Sequence, residues 1–269
     1  MKVVNKVFVV TGGANGIGRE LVLGLVRKGA LVAAVDIDEK GLKETVGLAS
    51  ELGSRISTHV VNITDRKAVE GLVEKVVKAH GAVDGLINNA GIIQPFVRLN
   101  DLTYDQIERT MNVNFYGTVY MIKSFLPALL KRPEGHIANV SSMGGYLPVP
   151  GQTLYGASKA AVKLLTEGLN SELLDTNVRV TLVFPGAIST NISVNSGIMT
   201  KEQAASMDTG KIKMTAPDVA AEIIIKGIEK DAYHVMAGND AKFMDILSRL
   251  NPKGAAKLIY NQMKSLLPA

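Results

Sequence analysis

Val7-Phe8-Val9-Val10-Thr11-Gly12-Gly13-Ala14-Asn15-Gly16-Ile17-Gly18-Arg19 decides the fold. Val7–Val10 reads as a short, fully apolar strand, Gly12–Gly18 as a turn, and Arg19–Lys28 as a helix with Leu21, Val22 and Leu25 on one face. Gly29 then ends the helix. A glycine-rich turn at this place lets a pyrophosphate approach backbone N–H groups at a helix N-terminus. Gly16 and Gly18 also let the helix lie close to the strand. A tight turn chosen only for its backbone angles is the alternative. The strand before it and the helix after it favour the nucleotide reading.

Outward from this unit, Val- and Ile-rich runs alternate with segments of helical period, the pattern of βα units around a parallel sheet. Strands are predicted at Leu31–Val35, Ile56–Val61, Val83–Asn88, His136–Val140, Val178–Phe184 and Tyr233–Met236. Helices are predicted at Glu39–Leu52, Arg66–His80 and near 104–130, 154–174 and 216–229. Seven strands with helices between them predict one α/β domain, a doubly wound sheet with helices on both faces. The last interior helix has a readable start in Thr215-Ala216-Pro217-Asp218, with a capping hydroxyl, a Pro in the first turn and an acid favoured by the macrodipole. Residues 189–214 lack sustained periodicity, and a loop of that length is expected to be a lid or an interaction segment.

A chain of 269 residues with 46% hydrophobic and 20% charged residues fits a globular domain and excludes disordered or fibrous classes. Without cysteine there is no disulfide framework, thiolate nucleophile or zinc–thiolate site, and no metal site is expected. The net charge of +5 sits mostly in the tail, where Lys242, Arg249, Lys253, Lys257 and Lys264 face Asp245 alone. The nearly neutral body and the absence of Trp argue against a nucleic-acid partner. Val7–Val10 is too short for a signal segment, and no apolar run reaches the roughly 18 residues of a membrane span. A cytoplasmic location is the expectation.

Asp36 ends the second strand about twenty residues after the glycine turn, where a carboxylate accepts hydrogen bonds from an adenosine ribose. It would repel a 2′-phosphate, and neither Ile37 nor Asn15 supplies a cation for one, so NAD is expected over NADP. The glycine spacing is T-G-x-x-x-G-x-G rather than G-x-G-x-x-G. Further motifs follow in order: Asn88-Asn89-Ala90-Gly91, Asn114, Ser141-Ser142, Tyr155-Gly156-Ala157-Ser158-Lys159 and Pro185-Gly186. Together, over roughly residues 5–238, they resemble the short-chain dehydrogenase/reductase family. That resemblance implies a Rossmann-type fold, a nicotinamide cofactor, a small alcohol or ketone substrate and a homo-oligomer.

Oxidising a secondary alcohol requires a base for the hydroxyl proton as hydride leaves carbon, and free tyrosine, with a pKa near 10, is a poor one at neutral pH. Lys159 lies one helical turn beyond Tyr155 on the same face, so its ammonium would favour phenolate. In ketone reduction the tyrosine would donate instead. Ser142 can hydrogen-bond the substrate oxygen. The resemblance makes Ser142 the catalytic serine, thirteen residues before Tyr155, and Ser141 a backbone-satisfying neighbour. It also makes Asn114 the support of a water-mediated proton path from Lys159. A second Y-x-x-x-K, Tyr260 to Lys264, has Leu247 where the serine should stand and is expected to be structural.

The resemblance further assigns the cofactor to Gly12, Asn15, Gly16, Ile17 and Gly18, with Asp36 at the ribose. Asn62-Ile63 would stand by adenine where many relatives have Asp-Val. Asn89, Ala90 and Gly91 would line the adenosine side, while Ile188 and Thr190, after Pro185-Gly186, would hold the nicotinamide carboxamide. Gln94–Val97, Met143–Pro150 and the lid carry the substrate side. Their Phe96, Met143, Leu147, Val149, Met199 and Met214 suggest a lipophilic alcohol or ketone.

Residues 239–269 form an extension that Asn251-Pro252 divides into two helical patterns. Phe243, Leu247 and Leu250 form an apolar stripe on the first, and Ile259, Met263, Leu266 and Leu267 one on the second. Docking on its own subunit or a partner is expected ahead of membrane contact, because five basic residues in 28 are sparse for a lipid anchor. A catalytically idle nucleotide-binding relative is the alternative function.

Overall fold

The computed structural model describes residues 1–200, 202 and 214–267. Its strands are β1 (Val7–Thr11), β2 (Leu31–Asp36), β3 (Ile56–Val60), β4 (Gly85–Asn88), β5 (Gly135–Val140), β6 (Val178–Pro185) and β7 (His234–Ala237). They form one parallel sheet in the order β3-β2-β1-β4-β5-β6-β7. β1, β4 and β5 are buried at every residue; β1 reads as a continuous apolar run, while β4 and β5 also bury Asn88, His136 and Asn139, each hydrogen-bonded inside the sheet. The order reverses between β1 and β4, where Val10 pairs with Ala34 on one side and Ile87 on the other. The crevice at this reversal, beyond the strands' C-terminal ends, is where such sheets bind ligands.

The helices are α1 (Gly16–Arg27), α2 (Glu39–Leu48), α3 (Arg66–His80), α4 (Tyr104–Met111), α5 (Gly117–Leu129), α6 (Thr153–Glu172), α7 (Ile192–Asn195), α8 (Pro217–Glu229), α9 (Asn239–Leu250) and α10 (Pro252–Met263). One core cluster joins α1 and α8 to one face of the sheet through Leu21, Leu25, Ile224 and Ile228. The other joins α3 and α5 to the opposite face through Leu72, Val76, Met121 and Phe125. A third cluster packs Met244 of α9 and Ala255 and Ile259 of α10 onto Leu147.

Three local expectations are corrected. The helix predicted near 104–130 is interrupted by a π-helical turn, Asn112–Tyr116, where one extra residue per turn rotates Asn114 into the interior. The helix expected over Glu39–Leu52 stops at Leu48, and a 3₁₀ turn covers Ser50–Arg55. The Thr215 hydroxyl does not cap α8: Ala216 is the N-cap, and Thr215 instead bridges Ile188. Pro217 and Asp218 do stand in the first turn. No helix among the described residues is long and apolar enough to cross a membrane.

Candidate active site

The glycine turn joins β1 to α1 with no room for side chains. A Cβ on Gly18 would lie 1.9 Å from the Gly12 carbonyl oxygen. Asn15, the N-cap of α1, makes no side-chain cap, so it leaves the first-turn N–H groups for another acceptor. Thr11 fastens this turn to the end of β4, its hydroxyl accepting from Asn89 N and Ala90 N, both at 3.0 Å. Asn89 returns the tie by donating to Thr11 O at 3.1 Å, so its side chain braces the turn. This bare-backbone cradle fits a dinucleotide pyrophosphate.

Asp36 reaches across to the same turn. Its Oδ2 accepts from Ala14 N at 3.0 Å and its Oδ1 from Asp38 N at 3.1 Å. Asp38, which the sequence reading passed over, lies 3.5 Å from Asn15 Nδ2 and caps α2 through Gly41 N. Two carboxylates therefore stand beside the glycine turn, while Ile37 is 70% exposed. Asn62 is exposed, and its Oδ1 already accepts from Thr64 N and Oγ1. That bonding corrects the picture of a free acceptor for adenine. Ile63 is buried, with its side chain against Gly117.

Ser142, Tyr155, Lys159 and Asn114 converge at the C-terminal end of β5. The Ser142 hydroxyl accepts from Gly144 N at 3.0 Å, and Ser142 Oγ and the Tyr155 ring both lie against Gly144, 3.5 Å and 3.4 Å from where a Cβ would be. Burial pushes the Tyr155 phenol up, and the nearby Ser142 hydroxyl opposes that shift. Lys159 is 4% exposed, and burial lowers its pKa from 10.5 to about 8. Its Nζ donates to Val140 O at 3.0 Å, which leaves two ammonium protons. Asn114 Oδ1 accepts from Ile92 N at 2.8 Å, and its Nδ2 donates to Ile92 O and to Ser158 Oγ, each at 2.9 Å. Gly91 is the joint between them: a Cβ there would stand 3.1 Å from Lys159 Nζ and 3.2 Å from Asn114 Oδ1. Ser141 donates to Lys159 O at 2.7 Å, a backbone role.

Gln94 is corrected from pocket wall to scaffold. It is 1% exposed, and its Oε1 accepts from Leu154 N at 2.7 Å and Tyr155 N at 2.9 Å, capping α6 where its own N-cap Gln152 does not. Its Nε2 donates to Gly151 O at 2.9 Å. A second buried chain, missed by the sequence reading, runs from Asn88 to Asn139 at 2.8 Å and on to Thr166 at 2.9 Å, fixing α6 to β4 and β5. Leu147 is also internal, packed under α9 and α10.

Pro185 ends β6, and Gly186 N donates to Ala237 O at 3.0 Å. Thr215 N donates to Ala187 O at 2.8 Å and Ser189 N to Thr215 O at 3.0 Å, so Ile188's own N–H and C=O point away from Thr215. Thr190 lies over Gly16, its Cγ2 3.3 Å from where a Cβ would be. The cradle and the segment after β6 thus meet. Of the expected lid, residues 201 and 203–213 lie outside the described residues. Its described part includes Ser196, whose Oγ accepts from Ile93 N at 3.0 Å. Tyr260 of the second Y-x-x-x-K is 49% exposed on α10, far from Ser142 in the chain and in another element. A cavity of about 420 Å³ between the Gly144–Pro150 segment and Gly156, Ala157 and Ala160 of α6 is lined by neither Ser142 nor Tyr155.

Comparison with known proteins matches residues 6–201 to the short chain dehydrogenase family. SadH of Mycobacterium tuberculosis, which is named as an oxidoreductase, is 35% identical over 268 residues, covering 98% of this chain and 97% of its own. The 3-oxoacyl-[acyl-carrier-protein] reductase FabG of Thermotoga maritima is 36% identical over 228 residues, covering 84% and 91%. Among solved structures, a short-chain dehydrogenase of Burkholderia cenocepacia in complex with NADP superposes with a TM-score of 0.79 at 27% identity, covering 96% and 99%. One from Mycobacterium paratuberculosis bound to NAD gives 0.77 at 26%, covering 90% and 100%. With the ordered motifs on one sheet edge and relatives matching along nearly the whole chain, the protein belongs to the short-chain dehydrogenase/reductase family.

Proposed function

We propose that the chain is a nicotinamide-dependent oxidoreductase that interconverts a secondary alcohol and a ketone, with Tyr155 as general acid/base. The observation that carries this reading is the convergence of Ser142 and Tyr155 on Gly144 with buried Lys159 one turn away, beside the glycine cradle. Gly12, Asn15, Gly16, Ile17 and Gly18 would hold the pyrophosphate, Asp36 the ribose, and Ile188 and Thr190 the carboxamide. The bound nicotinamide supplies a hydride acceptor or donor. Ser142 donates a hydrogen bond to the substrate oxygen and holds it against Tyr155. In oxidation the Tyr155 oxygen takes the hydroxyl proton, and the Lys159 cation stabilises the phenolate in a site where water is scarce. Asn114 keeps Ile92 and Ser158 in place beside Lys159 and supports the path by which the proton leaves.

NAD is favoured over NADP, because Asp36 and Asp38 both oppose a 2′-phosphate and Ile37 offers it no cation. Phe96, Met143 and Val149 favour a lipophilic substrate. A cytoplasmic homo-oligomer is the proposed setting, on the family resemblance. The test is a panel of alcohols and ketones followed by absorbance of the reduced nicotinamide, with NAD and NADP side by side. Wild-type protein that binds dinucleotide yet turns over no alcohol or ketone would make it the idle nucleotide-binding relative instead.

A further inference from the structure

The carboxylate of Asp240, in the first turn of α9, is inserted behind the segment that follows β6. Its Oδ2 accepts from Ala187 N at 2.7 Å. The same side chain lies flat against Gly186, where a Cβ would stand 2.1 Å from Oδ1 and 2.4 Å from Oδ2. At Gly238, with φ of +132°, a Cβ would stand 2.5 Å from Oδ1. Two positions are thus kept free of side chains around one carboxylate. The next residue of α9 makes a second tie: Ala241 O accepts from the Tyr146 hydroxyl at 2.8 Å. Tyr146 closes the 3₁₀ turn Met143–Gly145 that begins at Ser142. One helical turn therefore grips both the wall that carries Ile188 and the wall that carries Ser142.

We infer that Asp240 is a positioning residue for the nicotinamide end of the cofactor, a reading that rests on the function proposed above. Ala187 is hydrogen-bonded on both sides, through its N–H to Asp240 and through its carbonyl to Thr215 N. Those two bonds fix the peptide planes on either side of Ala187, the second of which carries Ile188's N–H, while the Ser189 N to Thr215 O bond fixes the plane that carries its C=O. A charge-assisted bond of 2.7 Å holds that direction more firmly than a neutral one. The adenosine half of the site, built on Ala14, Asp36 and Asp38, shares no hydrogen bond with Asp240. The consequence is selective. Loss of the carboxylate disturbs recognition of the carboxamide and leaves recognition of adenosine diphosphate ribose alone.

The test compares two ligands on Asp240→Ala and Asp240→Asn: NADH by fluorescence titration, and ADP-ribose, which lacks the nicotinamide, by calorimetry. Asp240→Ala should weaken NADH at least tenfold and leave ADP-ribose within twofold of wild type. Asp240→Asn, which keeps a neutral acceptor for Ala187 N–H, should recover most of the loss. Where Asp240→Ala fails to fold, the Asn variant carries the comparison alone, with NADH weakened a few-fold and ADP-ribose unchanged. Unchanged NADH affinity, or equal weakening of both ligands, overturns the assignment. Wild-type protein that binds neither ligand overturns the nicotinamide reading beneath it.

Discussion

Tyr155 needs only its oxygen to act. Tyr155→Phe keeps the ring that packs on Gly144 and loses the proton carrier, so NADH affinity should stay within about twofold while kcat falls about 10²–10⁴-fold. Retention of most of kcat would remove Tyr155 from the mechanism. Lys159 makes a stability statement as well. Its folded pKa of about 8 is below the ordinary 10.5, so the folded state binds fewer protons than the unfolded state between those values. Stability from this group therefore rises with pH across that window and is lost as pH falls through about 8. Wild type should gain about 2 kcal/mol relative to Lys159→Met between pH 8 and pH 10, followed by urea unfolding at each pH. A flat difference would mean that Lys159 is solvated. At the other end of the site, Asp36→Ala with Ile37→Arg should shift cofactor preference toward NADP by about tenfold or more in kcat/KM, one charge-assisted contact being replaced by a cation. A wild type that already prefers NADP would refute the ribose assignment.

The catalytic helix α6 shows why some site residues escape a linear reading. Its first amides are capped by Gln94, sixty residues earlier in the chain, and nothing in local spacing announces a cap that arrives from another loop. Gln94→Leu should destabilise by about 2–4 kcal/mol, since the amides of Leu154 and Tyr155 and the carbonyl of Gly151 each lose a buried partner. Urea titration measures that loss, and kcat should fall about tenfold or more as Tyr155 loses its anchor. Unaltered stability would mean that water replaces the side chain. The π turn at Asn112–Tyr116 was equally hidden, because one inserted residue barely alters a helical apolar pattern. The strands, by contrast, were found within a residue or two, since β1 and β2 are buried apolar runs and the others each keep a short Val-, Ile- or Leu-containing stretch between helical segments.

In the whole molecule the C-terminal extension behaves as two different surfaces. Met244, Leu247, Ala255 and Ile259 turn inward onto Leu147 and Tyr146, whereas Phe243 is 60% and Leu250 81% exposed. The single stripe expected for the first helix is therefore split, and Ile246, 52% exposed, joins its outer half beside Lys242 and Arg249. Truncation after Gly238 strips the cover from Leu147 and removes both Asp240 and the acceptor of Tyr146. Several kcal/mol of apolar burial go with it, so Tm should fall by roughly 10 °C, and turnover should be lost. Calorimetry and the dehydrogenase assay check both, and sedimentation with anionic vesicles asks whether the outer half meets lipid. An unchanged Tm would show that the extension contributes nothing to the fold.

The sequence by itself determined the parts whose cause is local. The glycine turn lies between the strand and helix that make it useful, Asp36 stands at the end of the next strand, and Tyr155 and Lys159 share a helix face one turn apart. The ordered motifs then determined the family. Only the tertiary structure decided the assignments that depend on chain segments meeting. Asp38 came beside Asn15 of the glycine turn, Gln94 left the pocket for the cap of α6, Asn139 tied β5 to Thr166 of α6, and Asp240 came back to hold Ala187. The physical reason is that a buried donor or acceptor takes whichever partner the packed chain brings within about 3 Å, and sequence spacing carries no record of that encounter.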